Sequence, residues 1–393
     1  MRRVAIPERE GWREKAEAVG FGFHEMYGEP YWLDDVAYLF TMEEIETHIE
    51  APSEELHALC MDLVGDVVAT ERDLERLAIP PELFDAVRSS FESRQRHLYG
   101  RFDLAYTGTG PAKLLEYNAD TPTGVFESAY FQYNWLTDQI ALGRLPGSAD
   151  QFNLLQESLI ETFATFPKGP IFHFAVVTEN EEDRGTVAYL MDCAIQAGHA
   201  TELIDISDIG IDPVGRFTDP ADRVIDRCFK LYPWEDMLRE PFAKHLSMSG
   251  TEFVEPAWKA VLSNKGILPL LWERHRGHPN LLPAFFSDDP RASNLVAAVR
   301  KPLHSREGEN IAITEGGAET DRTDGDYGDG PTILQELTPL FEAEGQYAVL
   351  GPWIVGDKAA GLGIREDRSR ITRNLSRFVP HAILDEADYA AFE

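Results

Sequence analysis

Four polar residues in a predicted β-hairpin give the strongest chemical signal in the sequence. Arg101 and Asp103 lie two residues apart, as do Glu116 and Asn118, so each pair projects from one face of its strand. An antiparallel register that places Asp103 opposite Glu116 also places Arg101 opposite Asn118. Two carboxylates and an amide oxygen suit Mg²⁺ when phosphates complete its coordination, and the arginine suits a phosphoryl group. The alternative is a surface hairpin with cross-strand charge pairs.

Two lysines stand in segments that could hold phosphates. Lysine is scarce in this chain, with nine against 27 arginines. Lys301 ends a predicted strand and precedes a charged loop at 305–310 that contains Gly308, and Lys265 follows Ser263-Asn264. A lysine beside a glycine-containing loop can hold β and γ phosphates. Taken alone, the loop also fits an ordinary turn.

An acidic run and a hydroxyl-rich turn are candidates for binding other substrates. Residues 179–183 include four acids after a predicted buried strand, a place where sheet enzymes hold ligands. Such a run could hold an ammonium group, or it could stabilise a helix N-terminus. Thr121 and Thr123 follow the hairpin, where a helix N-cap is the simpler interpretation.

The elements that must position these residues predict a mixed α/β (α+β) fold. A capping box at Thr41 and Glu44 opens a helical region over 41–100. Alternation predicts hairpin strands at 101–106 and 113–118 around a loop at 107–112. A helix over 151–166 is followed by a strand at 170–177, a helix at 186–196 and a strand at 201–206, which form a βαβ unit.

The second half of the chain is predicted to be rich in antiparallel strands. Alternating patterns run over 223–231 and 346–364, the latter folded by a turn at 356–361. Residues 315–330 contain almost no apolar side chain, which predicts a mobile acidic loop between strands.

Missing patterns argue against several common sites. The chain has no Gly-Lys pair, which excludes a P-loop, and it lacks a dinucleotide fingerprint, a zinc-protease helix and a nucleophile elbow. The three cysteines lack metal-type spacing, and the eleven histidines form no cluster in the sequence. We therefore expect neither a disulfide framework nor an imidazole–metal site.

Composition indicates a globular protein that does not bind nucleic acid. The 393 residues are 43% hydrophobic, and the formal charge is −32. This charge disfavours binding to phosphate-rich polymers; it either keeps the protein soluble or attracts a cationic substrate. The sequence shows no signal peptide and no apolar run long enough to cross a membrane, so we expect a cytoplasmic protein with no membrane partner.

Several motifs together resemble the synthetase domain of the glutathionylspermidine synthase family. The resemblance runs from F-H-x-M-Y-G-E-x-Y-W at 23–32 to the C-terminus. It rests on R-F-D, L-L-E-Y-N-A-D-T-P-T, E-N-E-E-D-R-G-T, S-N-K-G, R-K-P-L with S-R-E-G-E-N-I, G-I-R-E-D and S-R-F-V-P-H. It implies an ATP-grasp fold in the permuted arrangement of eukaryotic glutathione synthetase, in which the metal hairpin precedes the nucleotide-binding lysines.

The resemblance also implies roles for individual residues, with ATP and Mg²⁺ as cofactors. Mg²⁺ would be held by Asp103, Glu116 and Asn118. Arg101 would contact the transferring phosphoryl group and Arg365 the acyl phosphate. ATP would be bound by Lys265, Lys301, the covering loop Ser305, Arg306, Glu307 and Gly308, and the adenine-side segment Gln335, Glu336 and Leu337. Thr121 and Thr123 would meet a thiol peptide, and Glu182 and Asp183 the amine.

We therefore predict an ATP-dependent carboxylate–amine ligase that forms an amide through an acyl phosphate. We expect residues 1–393 to form one catalytic unit without an amidase domain. Its subregions are a helical part with the metal hairpin at 1–165, the βαβ subdomain at 166–210, and nucleotide-binding strands with a lid loop at 211–393. The substrates would be a glutathione-like peptide and a polyamine. The alternatives are a ligase that uses an amino acid as the amine, or a catalytically silent nucleotide-binding regulator.

Overall fold

A mixed α/β architecture is seen in the computed structural model, which describes residues 1–328 and 330–392. The largest sheet, which we call the hairpin sheet, is antiparallel and carries Arg101 and Asp103. Its strands run in the order Arg377–Phe378, Lys358–Asp367, Gln346–Val355, Tyr99–Ala105 and Lys113–Asn118, and Phe341–Ala343 pairs with Gln346–Val355.

A second antiparallel sheet, the lysine sheet, carries Lys301. Its strands run in the order Ala284–Phe286, Thr332–Glu336, Ala297–Pro302, Ala312–Glu315 and Ala318–Arg322. The hairpin sheet and the lysine sheet both contribute residues to the cavity described below.

The third sheet is parallel, and we call it the parallel sheet. It contains the predicted βαβ unit, with Phe172–Val176 and Thr201–Asp205 paired in parallel and joined by the helix Glu181–Gln196. Its strand order is Glu252–Val254, Arg227–Lys230, Phe172–Val176 and Thr201–Asp205. The sheet thus continues along the chain beyond the segment 166–210.

The two ends of the chain meet in a three-stranded sheet. Its strands run in the order Arg2–Ala5, Val36–Thr41 and His381–Leu384. Two small pairs complete the strands, Glu25–Met26 with Glu29–Pro30 and Gly210–Ile211 with Phe217–Thr218.

Helices pack between and around these sheets. The α-helices are Trp12–Ala18, Met42–Ile45, Ala51–Val68, Glu71–Arg76, Phe84–Glu92, Gln132–Ala141, Leu155–Ala164, Glu181–Gln196, Trp234–Met237, Lys259–Leu262, Ile267–Arg274 and Glu386–Ala391. Single turns of π-helix occupy Glu46–Glu50 and Glu127–Phe131. Short 3₁₀ turns occupy Gly22–His24, Pro81–Leu83, Ile206–Asp208, Ala243–His245 and Pro290–Asn294. Among the described residues, no helix is both long and apolar enough to span a membrane.

Local signals in the sequence correctly predicted a helix capping box and the hairpin. Thr41 and Glu44 form the predicted capping box. The hairpin register is also as predicted, with Asp103 opposite Glu116 and Arg101 opposite Asn118. A bulge after Asp103 then shifts the pairing, so the connecting loop covers 106–112 instead of 107–112.

Two predictions about other segments were wrong. Residues 315–330 are not one loop, because Ala318–Arg322 is a strand that turns back at Gly316-Gly317 onto Ala312–Glu315; Asp329, within this segment, lies outside the described residues. The strand Arg227–Lys230 pairs in parallel on both sides, whereas antiparallel pairing was predicted.

Three of the histidines meet acidic side chains in space, although the histidines form no cluster along the sequence. Residues far apart in the sequence bring together His57, His97 and Asp357 in one place and His173, Glu202 and Asp219 in another. Linear spacing carries no sign of such groups, because each member comes from a separate element.

A buried carboxylate fixes the start of the hairpin strand. Glu255 is fully buried and accepts hydrogen bonds from the backbone N–H groups of Leu98 and Tyr99. It also pairs with the buried Lys259, whose Nζ lies 3.1 Å away and donates to the Tyr99 carbonyl. These bonds hold the backbone two residues before Arg101. The buried ion pair of Glu255 and Lys259 therefore positions the strand that carries Arg101.

Candidate active site

One cavity of about 790 Å³ lies between the hairpin sheet and the lysine sheet and reaches the parallel sheet. It gathers every site residue predicted from the sequence except Ser305. The predicted residues that line it are Arg101, Asp103, Glu116, Asn118, Thr121, Thr123, Glu182, Asp183, Lys265, Lys301, Arg306, Glu307, Gly308, Gln335, Glu336, Leu337 and Arg365.

The hairpin face forms one corner of the cavity. The Nε of Arg101 donates to Asp103 Oδ1 at 3.0 Å, and its Nη1 donates to the Thr123 carbonyl at 2.7 Å. On the neighbouring strand, the Asn118 amide donates to Glu116 Oε1 at 3.0 Å. The four polar groups therefore converge, as their register requires.

The two lysines approach this corner from different elements. Lys265 Nζ lies 3.0 Å from Glu116 Oε2 and also donates to the Ser305 carbonyl. Lys301 Nζ donates to the Gln335 side chain at 2.8 Å and to the Leu115 carbonyl at 2.9 Å. Both ammonium groups are thus held beside the carboxylate of Glu116.

Charge interactions in this corner oppose the effect of burial. Burial disfavours ionisation of Glu116, but the ammonium groups of Lys265 and Lys301 outweigh it and lower its pKa to about 2. Burial also lowers the pKa of Lys301 to about 8, against the attraction of Glu116. For Asp103, burial raises the pKa despite the nearby Arg101 guanidinium. An added cation between the carboxylates would relieve this cost.

Apolar side chains form another wall. Val299, Ile311 and Ile313 of the lysine sheet and its neighbouring loop line the cavity together with Leu337. Gln335 is buried, and both ends of its amide have partners within the protein. Its NH₂ donates to the Leu114 carbonyl, and its oxygen accepts from Lys301. A flat aromatic group would fit against this apolar wall.

The charged loop after Lys301 folds over the cavity. Arg306 donates from Nε to Glu235 at 2.9 Å and from Nη1 to the Thr121 hydroxyl at 2.5 Å. Gly308 has φ +71°, and a Cβ there would stand 2.2 Å from the Thr372 carbonyl. This position therefore needs glycine for both its backbone conformation and its close approach to the opposite wall. Ser305, at the start of this loop, is buried and does not line the cavity.

Acidic side chains line another part of the cavity, which we call the acidic end. Asn180 caps the helix Glu181–Gln196 by accepting from the Asp183 backbone N–H, so the cap itself does not require Glu182 or Asp183. Burial and the neighbouring Glu182 carboxylate raise the pKa of Asp183 to about 7. Glu307 from the covering loop adds to this effect. The cavity thus contains a corner with two lysines and, on a different element, a cluster of acids.

Sequence reasoning missed a buried pair behind Arg365. The Tyr31 hydroxyl donates to Glu127 Oε1 at 2.7 Å, and the Arg365 guanidinium lies 5.1 Å from the centre of the Tyr31 ring. Arg365 itself donates to the carbonyls of Ser376 and Asn374 at 2.8 Å. Tyr31 lies in the motif at 23–32, but nothing in that motif indicated its partner about a hundred positions away.

A second missed pair lies under Thr121. Asp120 and Lys230 are both fully buried, with their charged atoms 2.6 Å apart, and Asp120 also accepts from the Trp234 backbone N–H at 2.8 Å. This pair links the turn after the hairpin to the parallel sheet. It therefore sets where Thr121 and Thr123 stand relative to the acidic end.

Nearly the whole chain matches one protein family. A family model described as glutathionylspermidine synthase preATP-grasp matches residues 3–384. The chain belongs to the glutathionylspermidine synthase family. The resemblance found from the sequence motifs is thereby confirmed.

Three similar proteins are ligases by name. A Haemophilus influenzae protein provisionally named an acid–amine ligase is 37% identical, with 97% of this chain and 99% of that protein covered. Trypanothione synthetase of Crithidia fasciculata is 31% identical over 81% of this chain and 52% of its own length. The bifunctional glutathionylspermidine synthetase/amidase of Escherichia coli is 23% identical over 94% of this chain and 63% of its own length. The chain thus spans only about half to two thirds of the latter two relatives.

A solved structure shows the same overall fold. A glutathione synthetase-like effector of Globodera pallida superposes with a TM-score of 0.59 at 11% identity, covering 97% of this chain and all of that one. The mixed α/β class predicted from the sequence is confirmed, and its architecture is of the glutathione synthetase-like kind.

The buried acid behind Arg365 predicts a pH-dependent stability. Burial and the Glu182 carboxylate raise the pKa of Glu127 to about 7, from 4.5. The pKa of Glu127 is higher in the folded than in the unfolded protein, so the folded state favours the protonated carboxyl. Below about pH 4.5 the group is protonated in both states and does not lower the free energy of unfolding. Between about pH 4.5 and pH 7 its ionisation in the unfolded state lowers that free energy progressively. Relative to wild type, Glu127→Gln should gain roughly 3 kcal/mol of stability between pH 4.5 and pH 7. Urea unfolding across this range measures the difference.

The exposed Glu161 provides a matched control, since Glu161→Gln should leave the pH profile unchanged. If the difference in free energy of unfolding between Glu127→Gln and wild type stays constant with pH, Glu127 ionises as easily as a surface acid. The environment proposed for Glu127 is then wrong.

Proposed function

We propose that this protein is an ATP-dependent carboxylate–amine ligase that forms an amide through an acyl phosphate. The observation that carries the proposal is the distribution of charge in the 790 Å³ cavity. Glu116 with Lys265 and Lys301 lines one part of it, and Glu182 with Asp183 lines another. Such a site can hold a polyanion and a cation at the same time, which a nucleotide and an amine substrate require. The ligase names of the family relatives support the same conclusion.

The nucleotide would lie between the hairpin sheet and the lysine sheet, as in an ATP-grasp fold. The adenine would rest on Val299, Ile311 and Ile313, with Glu336 and Leu337 at its edge. Here the hairpin precedes the lysines along the chain, which is the permuted arrangement expected from eukaryotic glutathione synthetase. The Globodera pallida effector, with the same overall fold, supports this assignment.

The residues of the hairpin corner fit Mg²⁺. Asp103 and Glu116 stand directly opposite one another, and the Asn118 side chain already contacts Glu116. They offer hard oxygen donors and leave room for phosphate oxygens. When bound, Mg²⁺ neutralises phosphate charge and polarises the phosphoryl oxygens.

The chain's own cations would position the phosphates. Lys265 and Lys301 would hold them in place, with the covering loop of Ser305, Arg306, Glu307 and Gly308 excluding water. Arg101 faces the same corner and would stabilise charge on the γ-phosphoryl group as it transfers. The substrate carboxylate would attack this group and displace ADP.

The second half of the reaction needs a neutral amine. Thr121 and Thr123 would bind the peptide substrate, and Arg365 would stabilise the acyl phosphate. The amine would enter as an ammonium held by Glu182 and Asp183, and it must lose a proton before it attacks the acyl carbon and displaces phosphate. Asp183, with its pKa raised to about 7 by burial and Glu182, is suited to accept that proton. A glutathione-like peptide and a polyamine are the proposed substrates, with an amino acid as the alternative amine.

Substitution of Lys301 tests the nucleotide site and the activity together. A panel of peptides crossed with polyamines and amino acids should give ADP release from ATP only when one acid and one amine are both present. Lys301→Met should weaken ATP binding by about 10- to 100-fold, because a hydrogen bond to a charged group contributes about 1.5–3 kcal/mol. Calorimetric titration with ATP measures this loss.

The exposed Lys244 supplies the control, since Lys244→Met should bind ATP normally. Unchanged ATP affinity in Lys301→Met would contradict the nucleotide assignment. Tight ATP binding without ADP release for any substrate pair would instead favour a silent nucleotide-binding regulator.

Neutralising the acidic end should affect the amine selectively. The double variant Glu182→Gln with Asp183→Asn should raise the KM for the amine by at least about tenfold and leave those for ATP and the acid nearly unchanged. Initial rates of ADP release with each substrate varied in turn measure this separation.

Glu181 lies in the same first helical turn but is exposed, so Glu181→Gln controls for the helix dipole. Three unchanged KM values in the double variant, with only a fall in thermal stability, would show that Glu182 and Asp183 serve the helix and not the amine.

A further inference from the structure

Two histidines and an aspartate meet outside the cavity, on three separate segments. His57 comes from the helix Ala51–Val68, and His97 precedes the strand Tyr99–Ala105. Asp357 lies in the turn between Gln346–Val355 and Lys358–Asp367. The Nε2 atoms of His57 and His97 stand 3.1 and 3.2 Å from the same oxygen, Asp357 Oδ1. One ligand-type atom from each residue lies within 4.8 Å of the others.

The two nitrogen–oxygen separations are close to those of neighbouring ligands around a tetrahedral metal ion. With metal–nitrogen and metal–oxygen distances of about 2.0–2.1 Å, neighbouring ligand atoms stand about 3.4 Å apart. The two nitrogen–oxygen contacts therefore need to open by only about 0.2–0.3 Å to admit an ion. Two imidazoles and one carboxylate form a donor set that zinc enzymes also use.

A hydrogen bond can orient one of the two imidazoles as a ligand. His57 Nδ1 lies 3.0 Å from the Tyr117 hydroxyl, a partner that can accept its N–H and leave Nε2 free for a metal.

The other group, His173, Glu202 and Asp219, differs because an arginine already pairs with its carboxylates. There, Asp219 accepts from His173 and also from Arg223 Nε at 2.7 Å, and Arg223 reaches Glu202 as well. A guanidinium thus already neutralises both carboxylates.

The first cluster has no such cation. Within residues 1–328 and 330–392, no lysine or arginine nitrogen lies within 4 Å of the Asp357 carboxylate. Lys259, the nearest cation acting on His97, is itself paired with Glu255 at 3.1 Å. The carboxylate therefore has imidazole partners and an exposed side but no fixed positive charge.

We propose that His57, His97 and Asp357 bind one divalent transition-metal ion of the Zn²⁺ type. The Asp357 side chain is 74% exposed, so water can enter and complete the coordination. The ion would join a helix, the start of the hairpin strand and a sheet turn. It lies behind the hairpin, because Tyr117 alternates with Glu116 and Asn118 and faces the opposite side of the strand. Its role is to stabilise the back of the hairpin, independently of the proposed ligase reaction.

Calorimetric titration of the metal-stripped full chain with ZnCl₂, in excess Mg²⁺, tests the site. Mg²⁺ occupies hard oxygen sites but competes poorly for imidazole. We expect one equivalent of Zn²⁺ to bind, and Tm to rise by roughly 3 °C at a Zn²⁺ concentration one hundred times Kd. His97→Asn and Asp357→Asn should each weaken binding by about 100-fold or more, because each removes a direct ligand. Co²⁺ should give the intense visible bands of a four-coordinate site, and both variants should lose them.

Two further variants serve as controls. His173→Asn removes a histidine from the cluster that Arg223 neutralises, and Asp103→Asn alters the hairpin corner; both should keep full Zn²⁺ affinity. Asp357 lies in an exposed turn where asparagine is tolerated, so its variant should fold normally. The proposal is overturned if wild type binds no Zn²⁺, or if Asp357→Asn and His97→Asn bind it as tightly as wild type.

Discussion

The ion pair between Lys265 and Glu116 is the contact on which the cavity depends. Two largely buried ammonium groups, those of Lys265 and Lys301, share the carboxylate of Glu116 as their nearest negative partner. Burying either cation without that carboxylate would cost several kcal/mol by desolvation. The hairpin register therefore also fixes the position of the Glu116 carboxylate. This negative charge allows the lysine sheet, with its buried Lys301, to pack near the hairpin sheet. A polyphosphate with its metal ion could take over this balance when it binds.

The rest of the cavity follows from this arrangement of charge. Buried pairs outside it, Glu255 with Lys259 and Asp120 with Lys230, hold the strand start and the turn that frame the site. The covering loop closes over the middle, where Arg306 joins Thr121 to Glu235. Regular strands and a helix thus carry the residues proposed to bind the phosphates and the amine. Such preorganisation suits a reaction whose catalysis consists mainly of positioning and neutralising charge.

The sequence predicted what depends on local rules and missed what depends on distant partners. The Asp103–Glu116 register followed from strand alternation alone, and the βαβ unit followed from apolar runs of recognisable length. The strand at Ala318–Arg322 was missed because its side chains are mostly exposed and polar, so backbone pairing rather than burial forms it. Glu127 with Tyr31, and His57 with His97 and Asp357, are contacts across many residues that no local pattern encodes. The roles of the cavity residues were inferred partly from residue types and spacing and partly from the family resemblance, and they stay predictions.

Isotope transfer tests the central claim, ATP-driven activation of a carboxylate, most directly. The acid substrate is labelled with ¹⁸O in its carboxyl group, and the enzyme turns over with ATP and amine in unlabelled water. If the carboxylate attacks the γ-phosphoryl group, one ¹⁸O passes into each phosphate that is released, and mass spectrometry of the phosphate detects it. Phosphate free of label during amide formation would contradict the acyl-phosphate mechanism.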